Sequence, residues 1–429
     1  DVYGFGLIKI NTFATINQSN YSFMRRILLL LVSFIFVAAT FAGGYQVRLQ
    51  GHRQTAMGLV GVSLHGDASN LFYNPAGVSL MKNKYSFMVG GSGIFNNTAF
   101  QLENSVYKAE TDNPMGTPFF FYGATQINEK LGVGVGIYTP YGSSAKWQDD
   151  WAGAHLIQNI SMKVIFIQPT VSYKINDLLS IGAGFVLATG DVELNRSLPY
   201  SSAQLTGQVN LQGNTTAFGF NAGVMVTPNE KLSIGLDYRS KVDMKLDGGD
   251  ATFTIPSSVT ALIPSENKFT ATLPLPANLD LGASYQATEK LLLSAELNFV
   301  FWGVYDSLKF EFEEKPELLN SSNPREYSNT LIFRLGGEYV INDMITVRAG
   351  AYYDPTPTNE DYFTPETPSL TTYGLSCGLT IKPTENLAID LSYLHLETQA
   401  ATKSYSPEYF TGDYKTRTMI PGIGISYNF

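Results

Sequence analysis

Six short polar turns constrain this chain more than any other feature. They read QINEK (residues 126–130), INDL (175–178), TPNEK (227–231), ATEK (287–290), INDM (341–344) and KPTEN (382–386). They recur about every 40 to 60 residues, the length of two strands plus one longer loop. Asn, Asp, Pro and Glu suit tight turns because they accept local hydrogen bonds or preset φ. On both sides of each turn, apolar residues alternate with polar or small ones. In LSIGLDY (232–238), Leu232, Ile234, Leu236 and Tyr238 form one face, and Ser233, Gly235 and Asp237 the other. LDLGASY (279–285), LAIDLSY (387–393) and IGISYNF (423–429) repeat the pattern, with Tyr or Phe ending the apolar face. Such alternation means strands, because successive side chains leave a strand on opposite sides.

Each turn joins two strands, which gives twelve. An opening strand (about 84–101) and a terminal one (about 416–429) make fourteen, an even count that lets first and last pair. Closure matters in a membrane, where no open sheet edge can face hydrocarbon. Composition agrees: 15% of residues are charged, and 25 Tyr and 27 Phe stand against 3 Trp. Low charge and many aromatics fit strands with one face on lipid and the other on a polar lumen. The expected fold is an all-β membrane protein. It is a 14-stranded antiparallel transmembrane β-barrel over 84–429, set in a bacterial outer membrane, with long loops on one side and short turns on the other. A soluble propeller would instead show blade repeats.

Upstream, Met24-Arg25-Arg26, the apolar run ILLLLVSFIFV (27–37) and the small residue Ala42 read in order as a signal peptide over 24–42. The run is too short for a spanning helix, which needs about 20 apolar residues. Residues 1–23 are expected to be an upstream translation artefact, and finding them in the mature N-terminal sequence would contradict that.

The net charge of −9 argues against nucleic-acid binding, which wants a basic surface. A single cysteine, Cys377, excludes an intrachain disulfide framework, and His52, His65, His155 and His395 show no metal-ligand spacing. No catalytic residue, metal site or cofactor is expected. A lipase would need a Ser-His-Asp/Glu set, yet His395 falls on the lipid-facing phase and His155 has no GxSxG partner.

The alternation also places Asp237, Arg239, Asp280, Glu296, Arg334, Glu338, Arg348 and Asp390 on the lumenal face. An even register at the INDM turn sets Glu338 near Arg348, with Arg334 up the same face. A salt-bridge ladder that keeps the wall rigid is the plain reading. Contact of Arg334 or Arg348 with an anionic head group is the sharper one.

Residues 43–83 remain, glycine-rich and without a long strand. Such a segment belongs inside the barrel, because outside it would leave backbone groups unsatisfied in lipid. Without it a barrel this wide would hold a water-filled channel. Asn74, Pro75, Ala76 and Gly77 form a turn in it, and Leu71, Phe72 and Tyr73 are expected to pack it on the wall.

GGYQVRLQG (43–51), QTAMG (54–58) and DASNLFYNPAGVS (67–79) resemble the N-terminal hatch of the FadL family of outer-membrane hydrophobic-compound transporters. Asn74-Pro75-Ala76 is the most characteristic mark. GVGVGIYTPYGSSAKWQDDWAG (132–153) extends the resemblance, and Phe429 is similar to the terminal aromatic read by the outer-membrane assembly machinery.

The resemblance implies passive uptake of a long-chain fatty acid, or else an aromatic hydrocarbon. The ligand would enter a groove between two extracellular loops, move to a lumenal pocket, and leave sideways beside a kinked third strand when the hatch moves. By order the third strand is 131–139, and its inward-facing Gly132, Gly134 and Gly136, followed by Pro140 and Gly142, suit a bend away from its neighbour. Room for the hatch is the alternative reading of these glycines.

By order the groove loops are 196–212, with Leu198, Tyr200, Leu205, Val209 and Leu211, and 248–273, with Phe253, Ile255, Val259, Leu262 and Ile263. Exposed apolar patches of this kind mark binding surfaces, and self-packed loops are the alternative. Arg334 and Arg348 are candidate head-group partners from facing alone. The expected partners are the hydrophobic ligand, outer-membrane lipid and the assembly machinery, with no nucleic acid, and a monomer is expected. A general diffusion porin, which needs an open lumen, and an adhesin-type barrel are the competing readings.

Overall fold

A computed structural model describes residues 44–200, 205–255 and 263–429. The expected signal peptide and the residues before it lie outside that range, as do Val259 and Leu262.

The alternating segments form fourteen antiparallel strands. The first four are β1 (Tyr85–Ser92 and Phe95–Leu102), β2 (Lys108–Glu110 and Phe119–Gln126), β3 (Leu131–Lys146) and β4 (Asn159–Lys174). Next come β5 (Leu179–Tyr200), β6 (Leu205–Asn229), β7 (Leu232–Arg239 and Val242–Thr254) and β8 (Glu266–Leu275 and Asn278–Gln286). Then follow β9 (Leu291–Val300 and Ser307–Phe312), β10 (Ser321–Pro324 and Thr330–Val340) and β11 (Ile345–Asp354). The last are β12 (Thr372–Ile381), β13 (Leu387–Thr398 and Ala401–Tyr405) and β14 (Phe410–Asn428). Each pairs with its sequence neighbours, and β1 also pairs with β14, from Ser86 opposite Asn428 to Leu102 opposite Gly412. The sheet is closed, with the fourteen strands that the turns imply.

The turns work as their residues suggest. Asn128 Oδ1 accepts from the backbone N–H of Lys130 and Leu131, and Asn176, Asn229 and Asn342 repeat that arrangement at their own turns. A side-chain acceptor three residues before the returning strand satisfies donors that no ladder reaches.

The two faces separate as the alternation requires. Leu236, Leu281, Leu297 and Phe333 lie side by side across β7 to β10 and point outward, exposed in the lipid-facing belt. Asp237, Arg239, Asp280, Glu296 and Arg334 point inward and are buried.

They are buried because residues 44–83 fill the lumen. That segment contains two short helices, α1 (His52–Ala56) and α2 (Asn70–Tyr73), and a 3-10 turn, Pro75–Leu80. Leu71, Phe72 and Tyr73 are buried in the main apolar cluster with wall residues such as Phe120, Tyr122 and Tyr138. The wall is thinned to receive it. A Cβ added at inward-facing Gly182, Gly223, Gly235, Gly336 or Gly350 would lie 1.9 to 2.4 Å from its backbone or from Asn74.

At the long-loop end a second apolar cluster closes over the lumen, centred on Trp147 and Trp151, stacked 4.2 Å apart, with Phe100, Phe410 and Tyr414. Here the structure corrects two sequence boundaries. The stretch 196–212 is mostly the ends of β5 and β6, and 248–273 is mostly β7 and β8, because the ladders run well past the membrane belt.

Candidate functional site

The site begins with the turn after α2. Asn74 Oδ1 accepts from Ala76 N–H at 3.1 Å and so caps the 3-10 turn that Pro75 opens. Its Nδ2 donates to Val62 O at 2.9 Å within the segment and to Val224 O of β6 at 3.1 Å. One fully buried amide thus ties the segment to itself and to the wall. Ser172 of β4 donates to Ala76 O at 2.9 Å, next to the same turn.

Buried charges supply the second set of ties. Arg48 donates to Asp280 at 2.9 Å and to Glu296 at 2.6 Å. The other oxygen of Glu296 accepts from Gly61 N–H at 2.7 Å and Val62 N–H at 2.9 Å. Arg53 makes a two-pronged contact with Glu338 at 2.8 and 2.9 Å. Glu338 faces Arg348 across the β10–β11 hairpin, as the register implied, at 2.6 Å.

The two candidate head-group arginines now part company. Arg348 is committed to Glu338, to Asp390 at 3.4 Å and to Thr380, and it lines none of the cavities described below. Arg334 is buried, yet its Nε and Nη1 make no hydrogen bond, and Glu296, its ion-pair partner at 3.8 Å, stands beyond hydrogen-bond reach and already accepts from Arg48 and two backbone amides. A buried guanidinium left short of acceptors is costly unless a ligand supplies them.

Arg334 lines a central cavity of about 440 Å³, together with apolar Ile332, Tyr352, Leu394 and Ile420. The cavity reaches the outer face through a fault in the wall. The β2–β3 ladder stops at Phe120 opposite Tyr138, and the β3–β4 register shifts by a bulge between Tyr138 and Tyr141, at Pro140. Beyond it, β2 residues 113–118 lean to β1, where Gly116 and Ile94 exchange backbone hydrogen bonds of 2.8 and 3.0 Å.

The N-terminal segment occupies the edge of β3 that β2 leaves. Val47 N–H donates to Pro140 O at 2.8 Å, Gly142 N–H donates to Tyr45 O at 3.1 Å, and Gln46 bridges to Tyr141. Gly142, opposite outward Lys163, and exposed Met115 line the outer part of the cavity, and Ser143, opposite buried Met162, lines its lumenal side. Gly132, Gly134 and Gly136 behave differently. Gly132 and Gly134 approach Val78, Ser79 and Leu71 of the segment, and Gly136 approaches Tyr122 and Tyr138. They make room, whereas the break lies at Pro140.

A smaller apolar cavity of about 100 Å³ lies toward the long loops, lined by Leu211, Met244, Leu246 and Phe269. Tyr45 and Met162 line both cavities and stand between them. Of the candidate groove residues, Val209, Leu211 and Phe253 are buried in the upper cluster, and Leu198, Ile255 and Ile263 pack partly buried against it. Tyr200 and Leu205 pair with each other at the tip of the β5–β6 hairpin. At the short-turn end, a polar vestibule of about 710 Å³ lies below the segment, bordered by Arg53, His65 and Lys82.

Sequence reasoning missed Tyr45 and Arg48. Nothing local marks either residue, because their partners lie more than 200 residues away. The inward glycines were visible as small residues on the polar phase of successive strands, and only those of β3 were singled out.

Residues 34–429 match the model of the family described as outer membrane protein transport protein (OMPP1/FadL/TodX). Outer membrane protein P1 of Haemophilus influenzae is 28% identical over 423 residues, covering 85% of this chain and 90% of its own. The long-chain fatty acid transport protein of Escherichia coli O6:H1 is 22% identical, covering 85% and 89%. The crystal structure of a Pseudomonas aeruginosa FadL homologue superposes with a TM-score of 0.79 at 19% identity, over 90% of this chain and all of that one. This chain therefore belongs to the outer membrane protein transport protein family (OMPP1/FadL/TodX), and it is an outer-membrane transporter of hydrophobic compounds rather than an enzyme.

Proposed function

We propose that the protein takes up long-chain fatty acids by passive diffusion through the wall of its own barrel. The ligand enters at the long-loop end, between the β5–β6 and β7–β8 hairpins, where Leu198, Ile255 and Ile263 border the upper cluster. It passes the apolar upper cavity, reaches the central cavity, and leaves sideways between β2 and β3. Residues 43–83 act as the hatch, and the Asn74 to Gly77 turn anchors it while the Tyr45–Val47 stretch swings off β3.

The observation that carries this reading is the break in the β2–β3 ladder, which joins the central cavity to the outer face. Arg334 favours an acid over a bare hydrocarbon, since a carboxylate would complete its unfilled donors. The curated Escherichia coli relative, named for long-chain fatty acid transport, points the same way.

Uptake of radiolabelled oleate and of toluene by cells lacking their own transporter tests this. Ser143→Trp, which fills the gap from its lumenal side beside Met162, should reduce uptake of both compounds several-fold while the barrel assembles normally. Arg334→Met should reduce oleate uptake alone. Unchanged transport in Ser143→Trp would contradict a lateral exit, and large steady channel openings of the purified protein would favour a general porin instead.

A further inference from the structure

The central cavity has a further cation, at its outer end. Lys163 of β4 lines it and faces outward, on the same side as Ile165 and Ile167 of the lipid-facing belt. On that face of β4 it is the first charged residue above the apolar stretch that runs down to Tyr173. A lysine there has its stem along apolar surface and its head at the polar boundary of the outer leaflet.

Its direction is informative. Asp191 is its register partner on β5, yet the two form no ion pair among the described residues. On the other side its register partner is Gly142 of β3, which offers no side chain. The ammonium instead reaches across β3 to stand 5.8 Å from the centre of the Phe119 ring on β2. The side chain therefore arches over the place where β2 and β3 separate.

Three cations border this cavity, Arg48, Lys163 and Arg334, against one carboxylate, Asp354. Arg48 is held by Asp280 and Glu296. Arg334 and Lys163 remain, one at the lumenal wall and one at the outer lip of the same cavity. An acid that leaves Arg334 would otherwise carry its charge into hydrocarbon without a counter-ion, which is strongly disfavoured.

We propose that Lys163 is an exit-side head-group site. It takes the carboxylate of a single-chain acid as the tail passes between β2 and β3, and seats the head at the outer-leaflet boundary. Arg334 and Lys163 then act in sequence, so ionised amphiphiles are handed on while uncharged ones are not. This rests on the lateral-exit reading above.

The test uses the full-length protein in vesicles whose outer leaflet contains lipopolysaccharide, with oleate or oleyl alcohol presented on albumin and protein-free vesicles as background. Lys163→Gln should slow oleate transfer about tenfold, the loss of one charge-assisted contact. It should leave oleyl alcohol transfer and the equilibrium affinity for oleate in detergent unchanged, and Lys163→Arg should restore the rate. An unchanged oleate rate would overturn the proposal. So would equal slowing of both compounds, or slowing that disappears in vesicles without lipopolysaccharide, because Lys163 would then be holding a lipid phosphate. Arg334→Met separates this from the parent reading. If that variant binds oleate in detergent as tightly as the parent protein does, the lumenal head-group site fails. If its affinity falls while Lys163→Gln transfers oleate normally, only the exit site fails.

Discussion

Gly235 shows how much a missing side chain can decide. A Cβ there would stand 1.9 Å from Val62 O, and the nearby Asn74 amide closes off any sideways shift. Gly123, on the outward face of β2, meets only the Phe87 ring at 3.4 Å. Gly235→Ala should therefore lift the hatch from β7 and raise the frequency of channel openings, whereas Gly123→Ala should leave recordings unchanged. Both variants should keep the heat-modifiable mobility of a folded barrel. At this scale the sequence was half legible. Alternation alone placed Asp237, Glu296, Arg334 and Arg348 in the lumen, because the strand period is two and one face must meet lipid. It could not tell the committed Arg348 from the under-filled Arg334, since that depends on Arg48 reaching Glu296 from 248 residues away.

Among elements, the hatch helix α1 carries a titration. His52 lies over Gly422 and Gly424 of β14, with Nδ1 2.9 Å from Ser392 Oγ, and burial pushes its pKa down to about 4. His65, further along the hatch, is also held below its usual value, by burial first and by Arg53 next. A histidine with a depressed pKa in the docked state binds protons more readily once released. Docking is then fully stable above about pH 6.5 and weakens as the pH falls from there toward 4. Channel openings should increase as the pH falls from about 6.5 to 5, by up to about tenfold per unit for His52, with His65 adding in the same direction. The His52→Gln, His65→Gln double variant should flatten that profile. The strands themselves were readable from turn residues that carry their own mechanism, such as Asn128 and Asn342. The β2–β3 break was readable only as a Pro140 that interrupts a strand. Where β2 goes instead depends on Ile94 and Gly116, which no periodicity connects. The extended hairpins were read as loops because a strand outside the membrane no longer needs a lipid-facing alternation.

For the whole molecule, closure is independent of the contents. The β1–β14 seam is continuous from Ser86 to Leu102, and every other neighbour pair has a ladder of its own, residues 45–47 adding only to the stretch of β3 beyond the β2–β3 break. Removing residues 44–83 should leave a folded, membrane-inserted barrel, and planar bilayers should record large steady conductance in place of brief openings. A protein that fails to assemble would mean that the segment templates the wall rather than gating it. The glycines described along the inner wall carry one more consequence. They form a mould taken from this hatch alone, at positions where a single methyl group would collide. Wall and plug are therefore not interchangeable parts. A hatch borrowed from a relative sharing about a fifth of its residues should seat only when the matching inner-wall positions travel with it, so chimaeras in this family have to be cut around the barrel as well as along the chain.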